Sequence, residues 1–369
     1  RLLRIPDYQR GYAWKEHQVE DFWEDILQLE SDRTHYTGVI TLEPVKSNLH
    51  QGWVKDLWLI DSVGFRPFYV VDGQQRLTTA IILLQAILES VDEGTELNYQ
   101  SIASIRKQFI FFEADNKLQQ SFIFGYEKDN PSDEYMKTKI FGEHSGSNQF
   151  VETLYTRNLN FAKRYFIEQL SSMSVVEIAG VYKKLTQKIK FNLYEIDEEI
   201  DVFVTFETMN NRGKPLTSLE LLKNRLIYLS TLFKDNNGRD QLRININDAW
   251  KTMYEYLGKN PEVPLSDNLF LRNHWTMYFK YTRRKGDDYI NFLLDEKFNA
   301  RNITHAKSED DVLKIEEISL YIKSLQQSIV YWFYMHNPYY AQANQLSDSQ
   351  KLWLDRLERL SFRSFKPLI

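Results

Sequence analysis

Between Trp14 and Leu29 apolar residues recur at helical spacing, with Val19, Phe22, Trp23 and Ile26 on one face and acids on the other. Tyr36 to Leu42 reads as a strand, and Trp53 to Ile60 alternates well enough to be another. Phe68-Tyr69-Val70-Val71 is a short, wholly apolar strand that runs straight into Asp72-Gly73. From Gln75 to Glu89 the period becomes helical, with Leu77, Ile81, Leu84 and Leu88 on one face. Phe109 to Phe112 is a further β-rich run. Residues 125–149 are polar and turn-rich and read as an excursion from the core. Helices are expected at about 150–171 and 175–188, a strand at Lys190–Ile196 with Phe191, Leu193 and Tyr194 apolar, and almost continuous helix beyond Asp201. Breaks fall at Asp235-Asn236-Asn237-Gly238, at Pro261 to Pro264 and at Gly286. The pattern divides the chain into an α+β core over 1–124, a returning segment over 125–200 and a larger, mostly α-helical region over 201–369.

Composition narrows the function without choosing it. The 369 residues allow two or three domains. The chain has no cysteine, which excludes a disulfide scaffold, a thiolate zinc site and a cysteine nucleophile, and suits a reducing cytoplasm. No apolar run approaches the roughly 20 residues of a membrane span. A net charge of −5 excludes a generally basic nucleic-acid binder, so any DNA contact needs a local patch. The chain opens on Arg1, and Leu2-Leu3-Arg4-Ile5 reads as the middle of a structured segment, so both ends are expected to be trimmed.

The strongest chemical feature is Val70-Val71-Asp72-Gly73-Gln74-Gln75-Arg76-Leu77-Thr78-Thr79. A strand that turns at once into a helix exposes the unpaired N–H groups of the helix start. With the helix dipole they favour an anion by about 0.3–1 kcal/mol. Gly73 permits close backbone approach, Arg76 can fork two phosphate oxygens, and the glutamines can donate or orient a water. Asp72 can hold Mg²⁺ or position a nucleophilic water. Spacing leaves this reading level with a plain Asp N-cap whose Arg and Gln residues face solvent.

Two further stretches concentrate polar groups. Ile5-Pro6-Asp7-Tyr8-Gln9-Arg10-Gly11-Tyr12-Ala13-Trp14 suits base stacking and phosphate contact, or an aromatic N-terminal strand packed on the core. In Phe206 to Lys223, Thr217 and Glu220 form a capping box, which leaves Asn210, Asn211, Arg212 and Lys214 in the preceding loop unexplained. Lys280-Tyr281-Thr282-Arg283-Arg284-Lys285 is basic and reads as a solvated loop or a DNA-backbone contact. His336-Asn337-Pro338 reads as a helix end, and the seven histidines show no metal spacing. No GxxxxGK[ST] is present, so a P-loop is excluded, and no G-x-S-x-G element occurs.

Taken in order, Ile5 to Trp14, Tyr36-Thr37-Gly38-Val39-Ile40, Asp72 to Thr79 and Phe206 to Lys223 resemble the DGQQR domain of the GmrSD-type modification-dependent restriction systems. The resemblance spans residues 5–223. It implies a ParB/sulfiredoxin-like α+β core, binding and hydrolysis of a nucleoside triphosphate, and defence against modified phage DNA. Asp72, Gln74, Gln75 and Arg76 become the NTPase residues, with Mg²⁺ on Asp72. Tyr8, Gln9, Arg10, Gly73 and Thr78 become nucleotide- or DNA-binding candidates, with Asn211, Arg212 and Lys223 in support. Single-chain members of the family carry a C-terminal HNH-type nuclease, and no such motif precedes Ile369. The nuclease is then expected past the trimmed end or on a partner subunit, unless the chain does not cleave DNA, so endonuclease activity is not assigned to this chain. The expectation is a cytoplasmic NTPase and sensor that gates DNA cleavage, with no membrane partner and homo-oligomerisation open. The alternative is a DNA-binding module switched by nucleotide without hydrolysis.

Overall fold

A computed structural model describes residues 1–7, 9–30, 33–45, 50, 53–114, 119–128, 130, 132–143, 152–196, 217–233, 235–280, 288–304, 312–342 and 345–360. The chain divides into two compact units, Arg1–Ile200 and Asp201–Ile369, each with its own core. The α+β unit therefore comes first and the helical one second, as the periodicities require.

The first unit is built on five strands: β1 (Leu2–Ile5), β2 (His35–Pro44), β3 (Pro67–Asp72), β8 (Phe124–Tyr126) and β9 (Ile189–Glu195), in the order β8-β1-β3-β2-β9. Two short hairpins, β4 (Glu96–Leu97) with β5 (Gln100–Ser101) and β6 (Phe111–Glu113) with β7 (Gln120–Phe122), lie outside it. The sheet is mixed. β1 runs parallel to β3 and β8, β2 runs antiparallel to β3, and β9 runs parallel to β2. Its helices are α1 (Glu16–Gln28), α2 (Leu57–Asp61), α3 (Gln74–Glu89), α4 (Ile102–Phe109), α5 (Asp133–Tyr135), α6 (Leu154–Ser171) and α7 (Val175–Lys183), with π-helical turns at Met136–Ile140 and Lys184–Lys188.

α3 is the central helix. Ile82, Leu83, Leu84, Ala86, Ile87 and Leu88 are buried, and so are the polar Gln74, Gln75, Thr78 and Thr79 of its first turns. Leu77 and Ile81, expected on the inner face with Leu84 and Leu88, are only half-buried, because α3 is covered on most of its circumference rather than along one stripe. α1 contributes Val19, Phe22, Trp23 and Ile26 to the same core, as expected, and Trp23 meets Phe166 of α6 at 6.0 Å between ring centroids.

Two local expectations fail. Trp53–Ile60 is a turn followed by α2, not a strand. Long-range bonds set its shape: Asp56 pairs with Arg4 at 2.7 Å and the Trp58 indole donates to Ser121 Oγ at 2.9 Å. Of the polar stretch 125–149, the described residues up to 143 are no excursion either. β8 sits in the sheet beside β1, and Asn130, Ser132, Asp133, Met136 and Ile140 are buried. The Asn130 and Ser132 side chains are spent on backbone groups inside the unit.

The second unit contains α8 (Ser218–Thr231), α9 (Asn236–Gly258), α10 (Asp267–Tyr278), α11 (Asp288–Asn291), α12 (Arg301–Thr304), α13 (Ile315–His336) and α14 (Asp348–Arg359). Leu222, Leu226, Trp250, Met253, Phe270, Ile322 and Ile329 fill its centre, and the Trp250 indole donates to Leu219 O at 3.1 Å. No described helix is long and apolar enough to cross a membrane.

Candidate functional site at the head of helix α3

Gly73 closes β3 and caps α3 in the left-handed region, at φ +78°. A Cβ there would stand 2.7 Å from Val39 O of β2, so glycine is required both by the angle and by the neighbouring strand. Asp72 pairs with Thr41 of β2 where that ladder shifts register, a bulge that turns the strand end. Having no side chain, Gly73 cannot cap the first turn. The first helical bond runs from Leu77 N–H to Gly73 O at 3.0 Å, so the N–H groups of Gln74, Gln75 and Arg76 point out of the helix start.

The motif side chains leave that start in different directions. Arg76 Nη1 donates to Thr37 O at 2.6 Å, and its guanidinium fills the space over Gly38, where a Cβ would lie 1.6 Å from Nη1. Gly38 has φ +122°, so this glycine makes the seat for Arg76. The Tyr36–Ile40 and Asp72–Thr79 motifs are thus two halves of one arrangement. One guanidinium nitrogen is anchored, which aims the rest of the fork.

Gln75 turns the other way. Its Oε1 accepts the Ala13 N–H at 2.7 Å, and its Nε2 donates to Gly11 O at 3.2 Å. One turn on, Thr79 Oγ1 donates to Gln75 O at 2.8 Å, so its lone pair accepts the Tyr12 hydroxyl at 2.7 Å. Thr78 repeats the pattern: it donates to Gln74 O at 2.7 Å and accepts the Tyr126 hydroxyl of β8 at 3.2 Å. Burial pushes both phenols well above their ordinary range, so they are neutral donors. Gln74 is also buried, and its Oε1 has no protein partner.

Residues 9–13 form a strap across this helix start. Gln9 Nε2 donates to Val71 O at 2.9 Å, directly before Asp72. From the far side, Asn130 Nδ2 donates to Pro6 O and Gln9 O at 3.0 Å each, Ser132 Oγ accepts the Tyr12 N–H at 3.0 Å, and Asn158 Nδ2 donates to Tyr12 O at 3.2 Å. Gly11 has no room for a Cβ, which would lie 2.5 Å from Ser132 Oγ. Asn130, Ser132 and Asn158 had no signal in sequence that tied them to the site, because each acts on backbone atoms more than a hundred residues away.

Asp72, Gly73, Gln74, Gln75, Arg76 and Thr78 are therefore together, and the Gln9–Arg10 segment lies against them. Tyr8, Asn211 and Arg212 lie outside the described residues. Lys223 belongs to the second unit, where it is buried on α8. Beyond Lys280, the basic stretch to Lys285 also lies outside the described residues. His336 does end α13, and Glu358 Oε2 of α14 lies 3.0 Å from its Nδ1. Among the described residues no three His, Asp or Glu side chains are grouped to hold a metal.

A family model described as the N-terminal domain of the GmrSD restriction endonuclease matches residues 1–227. The chain belongs to the GmrSD restriction endonuclease family. No curated protein matches it. The GmrSD N-terminal match takes in the whole first unit and the start of α8, so every candidate residue from Tyr8 to Lys223 lies inside it. Membership makes this chain a component of a restriction system, with DNA as the macromolecule such a system acts on.

Proposed function

We propose that the head of α3 binds and hydrolyses a nucleoside triphosphate, and that turnover gates cleavage of modified phage DNA by a nuclease domain or partner subunit. The observation that carries this reading is the uncapped first turn behind Gly73, with the Arg76 guanidinium held beside it over Gly38. The N–H groups of Gln74, Gln75 and Arg76 take phosphate oxygens, helped by the helix dipole. The unanchored part of the Arg76 fork adds charge. With no group of three His, Asp or Glu side chains among the described residues, Asp72 fits Mg²⁺ held chiefly by substrate phosphates and water rather than by an all-protein cage. When bound, Mg²⁺ would neutralise charge that builds on the phosphates. Gln74 is the glutamine available to orient a water, since the Gln75 amide is engaged at both ends.

The test is a phosphate-release panel with ATP, GTP, CTP and UTP, run with modified and unmodified DNA. Turnover by the parent, lost in a folded Arg76→Ala chain, supports the proposal. Equal turnover by folded Arg76→Ala overturns it.

A second reading is a DNA-binding module that uses nucleotide as a switch. The engagement of Gln75, which leaves one glutamine for water, favours it. A binding-only module gives a nucleotide-dependent rise in Tm and no phosphate release.

A further inference from the structure

We infer that the Gln75 side chain is a positioning group that acts through the strap Gln9–Ala13 and, unlike the backbone N–H of the same residue, does not touch the phosphate or the attacking water. The inference rests on the proposed function for what the strap serves, and on geometry for the clasp itself.

A primary amide has one oxygen and two N–H donors to spend. Gln75 spends its oxygen on the Ala13 N–H and a donor on Gly11 O, from a side chain that is about nine-tenths buried. Turning it towards a ligand would strip two backbone groups of their partners, and an unsatisfied buried group is costly. Residues 75 and 79 share one face of α3, four residues apart. Both engage the strap: Gln75 brackets Tyr12 by its two neighbours, and Thr79 accepts the buried Tyr12 hydroxyl. Asn130, Ser132 and Asn158 hold the strap from its other side, and Gly11 is packed against Ser132 and Tyr155 with no space for a methyl group.

The clasp therefore sets where the strap lies, and with it Gln9, whose side chain ends on Val71 O beside Asp72. Adjacent glutamines have separate tasks. Gln75 builds the wall of the site, and Gln74, whose buried Oε1 has no protein partner, is the glutamine left for a ligand. Losing the clasp loosens the wall, so it weakens ligand binding more than the rate of reaction of bound ligand.

The test uses the full chain with Gln75→Met, Gln75→Glu and Thr79→Val. The glutamate keeps an acceptor for Ala13 N–H and loses the donor to Gly11 O. The valine loosens the same strap from a position one turn further from the helix start. Amide hydrogen exchange at Gly11–Ala13 is followed without nucleotide, alongside KM and kcat for whichever triphosphate the panel shows is turned over fastest. We expect exchange to quicken at least tenfold in Gln75→Met and less in Gln75→Glu. KM should rise about tenfold with the loss in kcat much smaller, and Thr79→Val should move both readouts in the same direction. A hundredfold fall in kcat, with KM and exchange as in the parent, would place Gln75 on the reacting atoms and overturn the inference. Unchanged strap exchange in all three variants overturns it as well. If Gln75→Met does not fold, the other two variants decide. If the parent hydrolyses no triphosphate, the proposed NTPase function fails while the exchange measurement still judges the clasp.

Discussion

The helices that begin at Gln74 and at Ser218 meet the same need in opposite ways. At Ser218 the chain supplies its own partners: Thr217 Oγ1 accepts the Glu220 N–H at 3.4 Å and Glu220 Oε2 accepts the Thr217 N–H at 2.9 Å. At Gln74 the cap is a glycine with no side chain to offer, and the Gln75 and Arg76 side chains are directed at other elements. A helix start closed by a capping box needs no ligand, and one left open beside a seated arginine is ready for an anion. Both starts stood out in sequence, and only their surroundings separate a structural device from a candidate site.

The comparison breaks most visibly at Gly73. Gly73→Ala forces a left-handed alanine, at about 1–2 kcal/mol, into contact with Val39 O, at about 1–3 kcal/mol more. We expect Tm to fall by about 5–15 °C in thermal unfolding. A fall under 2 °C would mean that β2 yields easily and that Gly73 is there for another reason.

The two units should also respond to pH in opposite senses. Burial raises Asp133, next to the strap-holding Ser132, from 3.8 to about 6. Its contribution is full below the unfolded value and is lost as pH rises through about 6. Burial lowers His274 of the second unit from 6.5 to about 4, so its contribution is full above 6.5 and is lost as pH falls through about 4. Each is worth up to about 3 kcal/mol. Hydrogen exchange between pH 4 and 7 should show protection falling with pH around Asp133 and rising around His274. Asp133→Asn should flatten the first trend alone, and no change in either region would remove the contrast.

Gly38→Ala tests the arginine seat. The atom in its way is the far end of a flexible side chain, so Arg76 yields and stability falls by only about 1–2 kcal/mol, mostly backbone strain. Nucleotide-dependent stabilisation should drop at least tenfold in apparent affinity. Undiminished affinity would dismiss Arg76 as a ligand contact. The smallest effect belongs to the closed helix start: Thr217→Ala should cost about 1 kcal/mol and leave nucleotide affinity untouched.

What could be read in advance follows physical range. The β3–α3 junction and the Thr217–Glu220 box are defined by residues a few positions apart, and both were legible. So were the α+β beginning and the helical remainder, since period alone distinguishes them. Trp53–Ile60 alternates as a strand does, while its shape answers to Arg4 and Ser121. The polar run around Asn130 and Ser132 resembled a surface loop because its partners are carbonyl and N–H groups at residues 6–12, invisible to composition. The same blindness hid the task of Gln75, whose two partners are main-chain atoms 62 and 64 residues earlier.

The strap has a consequence for how the molecule is made. Gln9–Ala13 leave the ribosome before Gln75, Thr79, Asn130, Ser132 and Asn158, the described residues that hold them, of which Asn158 on α6 comes last. A nascent chain that has reached the end of α3 contains the whole Asp72–Arg76 stretch and still lacks the outer supports of its wall. Completion of the site is thereby tied to completion of the first unit, and a chain halted partway through synthesis carries the motif without its setting.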